Sequence, residues 1–582
     1  MTTILFKKVD YSLNKLIEDI ELGEIGLPEI QRPFVWSNTK VRDLFDSMYR
    51  GYPIGYLLFW ANGVSGFHRA IGTDAKQSVP RLLIVDGQQR LTSLFAVLKG
   101  IPIVREDFRT ECIQIAFRPS EKTFEVADAA IRRDPEWIPD ISLLWSKDTS
   151  RSKVVKGFIQ HLRESRDVSE NEEERLEEAI DRLYDLQSYP LTALELSSTV
   201  SEEQVAEVFV RVNSKGTPLN QADFVLTLMS VFWDQGRADL ESFCRAAKQP
   251  TLGKPAPFNP FIQPQPDQLL RISVALGFRR ARLEHVYSIL RGKDLQTGQF
   301  SAERREQQFD ILRQAQAYAL DLQDWHEFFK AVILAGFRRS EFISSQTTLL
   351  YTYAFYLIGK RDFRVDNPTL RRIIARWFFM VSLTGRYTAS PESRMEQDLA
   401  DLRDIRDAAS FVALLDRTIR TALTDDYWSI TLPNDLATSA ARGPTLFGYY
   451  AALNRLDAKV LFSHLRVAVL MDPSSHAKKA ALERHHLFPS GYLRAIGIRE
   501  RRDINQIANY ALVEWSDNIS ISDASPRDYV PKLAARLGPD ELKDMYFWHA
   551  LPDGWQEMDY YRFLDERRKL MAQVIRRAFE GI

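Results

Sequence analysis

The sequence predicts a helix-rich α+β protein built from several domains, and three observations lead to this. Short apolar runs that end in turn residues alternate with amphipathic stretches before residue 248, which is typical of strands and helices in one domain. A stretch with six prolines follows, and the apolar spacing is then helical almost without interruption from residue 269 to 424. A chain of 582 residues is also too long for one hydrophobic core.

The first predicted elements surround two apolar strands. "GYLLFW" and "RLLIVDG" are short apolar runs bounded by turn residues, which indicates buried strands, and "ECIQIAF" and "LTALELSS" add further strands. "TKVRDLFDSMYR" predicts a helix with Ser37 or Asn38 as its N-cap. "QQRLTSLFAVLKG" predicts a helix that ends at Gly100, and "VSENEEERLEEAIDRL" predicts a charged helix that faces solvent.

The part of the chain after residue 247 differs in its proline content and in the spacing of its apolar residues. The prolines between Lys248 and Gln268 exclude a regular helix and favour an extended connector. Beyond them, apolar stretches such as "TLLYTYAFYLIG" are too short to span a bilayer and predict buried helices. We therefore predict four segments: residues 1–247, the connector 248–268, a helical domain 269–440 and a carboxy-terminal domain 441–582.

Composition narrows the functional class. The chain has 77 lysines and arginines against 78 acidic residues, so a nucleic-acid partner would have to meet a local basic patch. Two cysteines, Cys112 and Cys244, exclude a disulfide framework and fit a reducing compartment. The first residues lack the apolar region of a signal peptide. We expect a cytoplasmic protein with no membrane partner.

The segment "ERHHLFPSGYL" contains two adjacent histidines of the nine in the chain. They could be chance surface residues, metal ligands, or residues that divide the work of a catalytic site. Downstream, "INQIANYALVEWSDN" supplies Asn509, a short strand and Asn518. Phosphodiester hydrolysis needs a base that works near neutral pH and a cation beside the phosphate, and imidazole and amide side chains can provide both. A structural zinc site is disfavoured because no cysteine lies near.

At these positions the sequence resembles the HNH (His-Me finger) nucleases, which have a ββα-metal fold, in the version that closes GmrSD-type restriction enzymes. The resemblance implies that His486 is the general base and that His485 and Asn518 hold a divalent cation, Mg²⁺ or Mn²⁺. It also implies that Asn509 holds the loop that orients His486. Pro489 follows the usual H-x-x-P pattern.

One residue departs from the pattern of that family. His485 stands where many relatives carry Asp, and Glu483 is an alternative ligand. A nitrogen ligand shifts the preference of the site from Mg²⁺ towards Mn²⁺ or other borderline ions. This departure keeps open a second hypothesis, in which the chain is a nucleotide-gated DNA-binding sensor whose nuclease domain is inactive.

A second segment with polar chemistry is "IVDGQQRLTSL". It ends a strand at Asp86, turns at Gly87 and opens a helix, so the helix amino terminus presents N–H groups and a positive dipole end to a phosphate. Arg32 and Arg90 could add bidentate contacts, and Asp86 could hold Mg²⁺ or orient water. The alternative is a buried ion pair between Arg32 and Asp86. No P-loop motif occurs in the chain.

"DGQQR" resembles the mark of the ParB-like amino-terminal domain of the GmrS/SspE group, D-G-Q-Q-R-x-T. "VFVRVNSKGTPLNQADFVLTLM" and "GRYTASPESRMEQDL" resemble two further elements of that group. The resemblance implies binding and hydrolysis of a nucleoside triphosphate, GTP or ATP, so we expect NTPase activity. "NSKGTP" could also be turn residues alone. The implied nucleotide contacts are Gln31, Arg32, Asp86, Gly87, Gln88, Gln89, Arg90, Arg211 and Asn213.

Together the two resemblances predict a nucleotide-regulated DNA endonuclease of anti-phage defence that senses DNA modification. The expected partners are double-stranded DNA, including modified phage DNA, and a nucleoside triphosphate. A nucleotide hydrolase that cuts DNA incidentally is a third hypothesis. The sequence leaves open which nucleotide and which DNA modification are recognised, and whether the chain forms a homo-oligomer. Three basic clusters could contact DNA: residues 278–285, 370–379 and 497–503.

Overall fold

The computed structural model of the chain contains two compact units, residues 1–237 and residues 238–582. The structure describes residues 5–26, 34, 36–61, 81–105, 109–146, 150–197, 200, 204, 208, 221–293, 301–440, 442–471 and 482–582. Within these ranges some side chains, that of Glu483 among them, are not described.

The first unit is built on a mixed five-stranded sheet with the order β1-β9-β3-β4-β2. β1 pairs with β9 and β3 with β4 in antiparallel fashion, whereas β9–β3 and β4–β2 are parallel. Two short antiparallel strand pairs, β5–β6 and β7–β8, lie between β4 and β9 in the chain. The strands are β1 Phe6–Ser12, β2 Ile25–Gly26, β3 Leu57–Ala61, β4 Leu82–Asp86, β5 Ile103–Val104, β6 Thr110–Glu111, β7 Ile115–Arg118, β8 Thr123–Val126 and β9 Pro190–Leu196.

Alternation along the strands gives the sheet two apolar faces. Leu57 and Phe59 of β3 belong to the main core of the unit, which also contains the buried faces of its helices. Leu58 and Trp60 point the other way and join a smaller apolar cluster. The predicted strands "GYLLFW" and "RLLIVDG" are thus confirmed, and burial on both faces explains why they are apolar at every position.

The three helices that the sequence predicts in this unit are present. Ser37 is the N-cap of α2 and its hydroxyl accepts a hydrogen bond from the backbone N–H of Lys40. Gly100 ends α3 in the left-handed conformation, with φ of 62°. The charged helix α5 follows the N-cap Ser169. The helices are α1 Leu13–Glu21, α2 Asn38–Tyr49, α3 Gln88–Lys99, α4 Arg151–Ser165, α5 Glu170–Tyr184 and α6 Gln221–Phe232, with α7 Asp234–Lys248 running into the second unit.

The proline-rich segment contains no helix between Lys248 and Pro266, as its prolines predict. It is nevertheless packed rather than a free linker. The indole N–H of Trp325 donates to the carbonyl of Pro257 at 2.8 Å, and Phe261 stacks on Phe329. This segment therefore forms part of the core of the second unit.

Between residues 266 and 471, the described part of the second unit consists of helices and their connections. This confirms the prediction that the chain after the proline-rich segment is mainly helical. Its helices also pack against the carboxy-terminal segment: the rings of Phe379 and Phe579 lie 5.7 Å apart. The helices are α8 Pro266–Phe278, α9 Leu283–Leu290, α10 Ala302–Ala319, α11 Leu322–Leu334, α12 Gln346–Arg361, α13 Asn367–Leu383, α14 Pro391–Ala400, α15 Ala408–Ala422, α16 Leu432–Asp435, α17 Pro444–Arg455 and α18 Val467–Leu470.

The carboxy-terminal segment contains a two-stranded antiparallel sheet followed directly by a helix. β10 Leu482–His486 pairs with β11 Tyr510–Glu514, and α21 Trp515–Ile521 begins where β11 ends. The predicted order of strand, turn with Asn509, strand and helix is thus present. The remaining helices are α19 Ser490–Ala495, α20 Arg501–Ile504, α22 Pro526–Ala534, α23 Pro539–Trp548 and α24 Tyr560–Glu580.

Candidate active site

The strand β10 directs the two adjacent histidines to opposite faces. His486 lies opposite Tyr510 in the register with β11, and His485 lies opposite Ala511. Successive side chains of a strand point to opposite sides. As a result, His486 stacks on the Tyr510 ring, with 4.5 Å between ring centroids, while His485 meets α21.

His485 is nearly fully buried and contacts Asn518 of α21. Its Nδ1 lies 2.8 Å from Asn518 Oδ1, and because an amide oxygen only accepts, Nδ1 is the donor. Nε2 is buried and has no hydrogen-bond partner among the residues that the structure describes. Burial lowers the pKa of His485 to about 4, so the ring is neutral at pH 7.

His486 is held by an asparagine that the sequence did not single out. Its Nε2 lies 3.0 Å from Oδ1 of Asn505, the residue that follows α20. The amide oxygen fixes the proton of the neutral ring on Nε2, which leaves Nδ1 as a proton acceptor. Burial lowers the pKa of His486 and so favours this neutral form. No recognised motif spacing pointed to Asn505.

Asn509 is fully buried and holds the loop that follows His486. Its Nδ2 donates to the carbonyls of Phe488, at 3.1 Å, and Ile504, at 3.0 Å. Its Oδ1 accepts from the backbone N–H of Phe488 at 2.9 Å, and its own carbonyl accepts from Leu487 at 2.7 Å. Both amide protons and the amide oxygen are therefore used, and the loop is fixed relative to the turn before β11.

Two side chains from the following helices support the same loop and turn. The hydroxyl of Tyr529 donates to the carbonyl of Leu487 at 2.6 Å. The guanidinium of Arg567, which is completely buried, donates to the carbonyl of Ala508 at 2.6 Å. Helices α22 and α24 thus hold the backbone that follows His486 and the turn that precedes β11.

The donor set beside His485 fits a divalent cation. An ion about 2.1 Å from two adjacent ligands holds them roughly 3 Å apart, close to the 2.8 Å between His485 Nδ1 and Asn518 Oδ1. A bound cation would take the place of the Nδ1–H···Oδ1 hydrogen bond, and the ring of His485, with its proton moved to Nε2, would then offer the Nδ1 lone pair. Among the described residues no group of three or more histidine, cysteine or acidic side chains could hold a metal, so such a site would have two protein ligands there.

Nearby carboxylates are engaged elsewhere. Asp517 is buried and accepts from Arg536 at 2.8 Å, and Asp523 accepts from the backbone N–H of Gly491 at 2.9 Å. The side chain of Glu483, the alternative ligand, lies outside the described residues. Asn518 therefore supplies the side-chain oxygen that the structure places beside Nδ1 of His485.

In the first unit, "DGQQR" forms the predicted strand, turn and helix. β4 ends at Asp86, Gly87 has φ of 94°, and α3 begins at Gln88. The guanidinium of Arg90 donates to the carbonyls of Ile54 and Tyr56, each at 2.7 Å, and lies 3.3 Å from Asp86.

These contacts tie α3 to the loop before β3. Burial lowers the pKa of Arg90, but an arginine stays charged at neutral pH. Gln89 is also drawn into the fold, since its Oε1 accepts from the backbone N–H of Trp36 at 3.4 Å. Four residues predicted to contact nucleotide lie outside the described residues: Gln31, Arg32, Arg211 and Asn213.

The structure therefore brings His485 together with Asn518 and places Asn509 against the loop after His486.

No helix among those described combines the length and apolar character needed to cross a membrane.

One comparison with known proteins covers nearly the whole chain, and another covers its amino-terminal part. The uncharacterized protein MJ0686 of Methanocaldococcus jannaschii is 22% identical over 633 residues, and the alignment covers 97% of this chain and 98% of that protein. The family model described as the GmrSD restriction endonuclease, N-terminal domain, matches residues 13–230. The amino-terminal part of the chain is thus similar to the amino-terminal domain of the GmrSD restriction endonucleases.

Proposed function

We propose that the protein is a metal-dependent DNA endonuclease with a restriction function, in which residues 441–582 cut DNA and residues 1–247 regulate cutting through a nucleoside triphosphate. The observation that carries the proposal is the ββα segment, in which His486 is fixed with one ring nitrogen held and the other available. The match of residues 13–230 to a restriction endonuclease domain supports it.

In the proposed mechanism, Nδ1 of His486 takes a proton from the attacking water. The Nε2–H bond to Asn505 keeps the imidazole in the tautomer and orientation that this step needs. Asn509 keeps the backbone after His486 from shifting, because its side chain bonds both polar groups of Phe488. A divalent cation, Mg²⁺ or Mn²⁺, held by His485 and Asn518, would supply positive charge to the phosphate in the transition state.

The decisive experiment is nicking of supercoiled plasmid DNA in Mg²⁺ and in Mn²⁺. His486→Ala should lower the nicking rate at least about 1,000-fold, because the substitution removes the proposed general base. It also removes the ring that packs on Tyr510. His464→Ala is the matched control, because His464 is an exposed histidine of the same unit and should leave the rate unchanged. Equal rates for His486→Ala and wild type would reject the assignment.

The regulatory part of the proposal is that GTP or ATP binds at the start of α3. Asp86 and Gly87 lie at the strand end and turn that precede this helix terminus, where N–H groups and the helix dipole favour phosphate. We expect one of the two nucleotides to change the nicking rate and Asp86→Ala to abolish that change. The same assay on phosphorothioate, glucosylated, methylated and plain DNA tests for sensing of modification.

A second function is favoured by the composition of the cation site. Because no described carboxylate joins His485 and Asn518, a nucleotide-gated DNA-binding sensor with an inactive nuclease domain is the alternative. Calorimetric titration with Mn²⁺ separates the two. Ion uptake that His485→Ala abolishes supports the nuclease, and absence of uptake supports the sensor.

A further inference from the structure

The strand and helices beside the histidine pair carry a concentration of arginines. Residues 484–502 contain five arginines and one acidic residue, Glu500, in a chain whose net charge is −1. All five arginines are exposed. We call this set the arginine face; it consists of Arg484, Arg494, Arg499, Arg501 and Arg502.

The arginine face adjoins the candidate active site. Arg484 precedes His486 by two residues on β10, so the two side chains share a face of the strand. The guanidinium of Arg484 lies 5.8 Å from the ring centroid of Tyr510, and that ring stacks on His486. Arg501 belongs to α20, and Asn505, the residue that follows this helix, holds His486. Positive charge therefore lies next to the imidazole on both the strand and the helix.

Two of the three arginines in each of the other two basic clusters are paired with carboxylates. In residues 278–285, Arg279 pairs with Asp362 and Arg280 with Glu396. In residues 370–379, Arg371 pairs with Glu327 at 2.9 Å and Arg376 with Asp416 at 2.8 Å. Guanidinium groups bound in this way are not available to phosphates without losing their partners.

Four of the five arginines of the arginine face differ in this respect. Within the described parts of the chain, Arg494, Arg499 and Arg501 have no salt bridge. Arg502 approaches Asp503 only at 4.0 Å, and its side chain is 85% exposed. An exposed pair at this distance contributes little, so Arg502 also keeps its charge for a partner.

We propose that the arginine face binds the sugar–phosphate backbone of duplex DNA beside the phosphate that is cut, and that the clusters at residues 278–285 and 370–379 do not contact DNA. This rests on the proposed nuclease function for its location and deepens it by naming the surface. Guanidinium groups match phosphate oxygens in charge and geometry, and duplex DNA offers phosphates closely spaced along both strands.

The test is binding of a fluorescent 30-base-pair duplex in Ca²⁺ by the intact chain carrying His486→Ala, over a series of salt concentrations. Into this background we place Arg494→Gln, Arg499→Gln and Arg501→Gln together. We expect affinity near 0.1 M salt to fall roughly 10- to 100-fold, and the slope of log affinity against log salt to decrease by about 2 to 3. The variant residues are exposed, and circular dichroism checks that the fold is kept; Arg499→Gln alone should decrease the slope by about 1.

The matched control makes the same change of charge on the helical part of this unit: Arg403→Gln, Arg417→Gln and Arg420→Gln, all exposed. It should leave both affinity and slope unchanged. Equal losses from the two triple variants would overturn the proposal, because they would show a general charge effect. An unchanged slope in the arginine-face variant, or stronger binding of a single-stranded RNA of the same length, would also overturn it.

Failure of the nuclease assignment gives a different result. If wild type does not nick DNA but duplex binding still depends on the arginine face, the surface is supported and the catalytic role of His486 is not. The nicking arm uses the same three arginine substitutions in a chain that keeps His486. If wild type nicks DNA, and the three substitutions change neither nicking in that chain nor duplex binding in the His486→Ala background, the catalytic role stands and the surface is rejected.

Discussion

The turn at residues 86–90 in the first unit and the β10–β11 sheet in the second unit use their polar side chains in opposite ways. At the turn, the guanidinium of Arg90 makes hydrogen bonds to two backbone carbonyls and approaches Asp86. At the β10–β11 sheet, the fold engages one nitrogen of His486 and leaves the second in an accepting form. A motif predicts which residues are present, whereas the hydrogen bonds made within the fold decide what those residues have left to offer a ligand.

The largest expected effect tests whether Asn509 holds together the loop after β10 and the turn before β11. Asn509→Asp removes two donors and places a buried carboxylate against the carbonyls of Phe488 and Ile504. We expect a loss of about 3 kcal/mol or more in the free energy of unfolding of this unit and at least a 100-fold loss of nicking. Thermal unfolding and the plasmid assay measure both.

The same substitution at Asn505 is the control for Asn509. Asn505→Asp keeps the oxygen that accepts from His486 Nε2, so stability and most of the nicking activity should be retained. Similar losses in the two variants would contradict the separate roles given to these asparagines.

The second prediction concerns the stability of the two units at low pH, which should fall more in the second unit than in the first. Burial lowers the pKa of both His485 and His549 to about 4, whereas His161, the described histidine of the first unit, is exposed. The unfolded chain takes up protons first as pH falls through about 6.5, so stability is unaffected above that pH and is lost between about 6.5 and 4. Each buried imidazole should cost about 2 kcal/mol of the second unit's stability on going from pH 6.5 to pH 5.

A variant checks this pH dependence directly. His549 donates from Nε2 to the carbonyl of Lys459 at 2.9 Å, and His549→Gln keeps a donor but cannot be protonated. The fall in melting temperature between pH 7 and pH 5 should be smaller in this variant than in wild type. His464→Gln, at an exposed site, should show the wild-type fall; if all three proteins fall equally, His549 is not the cause.

The third prediction asks whether Arg90 serves the fold or a ligand. Arg90→Lys cannot bond the carbonyls of Ile54 and Tyr56 together, so we expect a loss of about 2 kcal/mol in the first unit without any nucleotide. Hydrogen exchange of β3 amides measures it. Arg50→Lys, at an exposed pair with Asp46, should change stability by no more than about 0.5 kcal/mol. An Arg90→Lys protein of unchanged stability that fails to bind nucleotide would remove the contrast between the two regions.

The smallest expected effect isolates the space around Arg90. Gly51 and Gly55 both have positive φ, but a Cβ at Gly51 meets nothing within 4 Å, whereas at Gly55 it would lie 2.6 Å from Nη1 of Arg90. Gly51→Ala should cost about 1 kcal/mol for its backbone conformation, and Gly55→Ala about 1 kcal/mol more because Arg90 is held in place. Equal melting temperatures for the two variants would show that Arg90 moves freely.

Much of the fold followed from local chemistry. The sequence predicted the strands β3, β4 and β11, the N-cap Ser37 and the helix end at Gly100. It could do so because apolar periodicity and turn residues act over a few positions. The helical second unit followed for the same reason. The packing of the proline-rich segment against Trp325 did not, since its partner lies 68 residues away.

The sequence by itself determined which chemical groups are present: paired histidines, two asparagines after them, and a glycine turn before a helix. Only the tertiary structure decided their partners. It selected Asn505 for His486, tied Arg90 to a loop more than 30 residues earlier, and paired most arginines of two basic clusters while leaving a third exposed. The reason is physical: a side chain has a fixed number of donors and acceptors, and which of them remain for a ligand depends on neighbours brought close by folding.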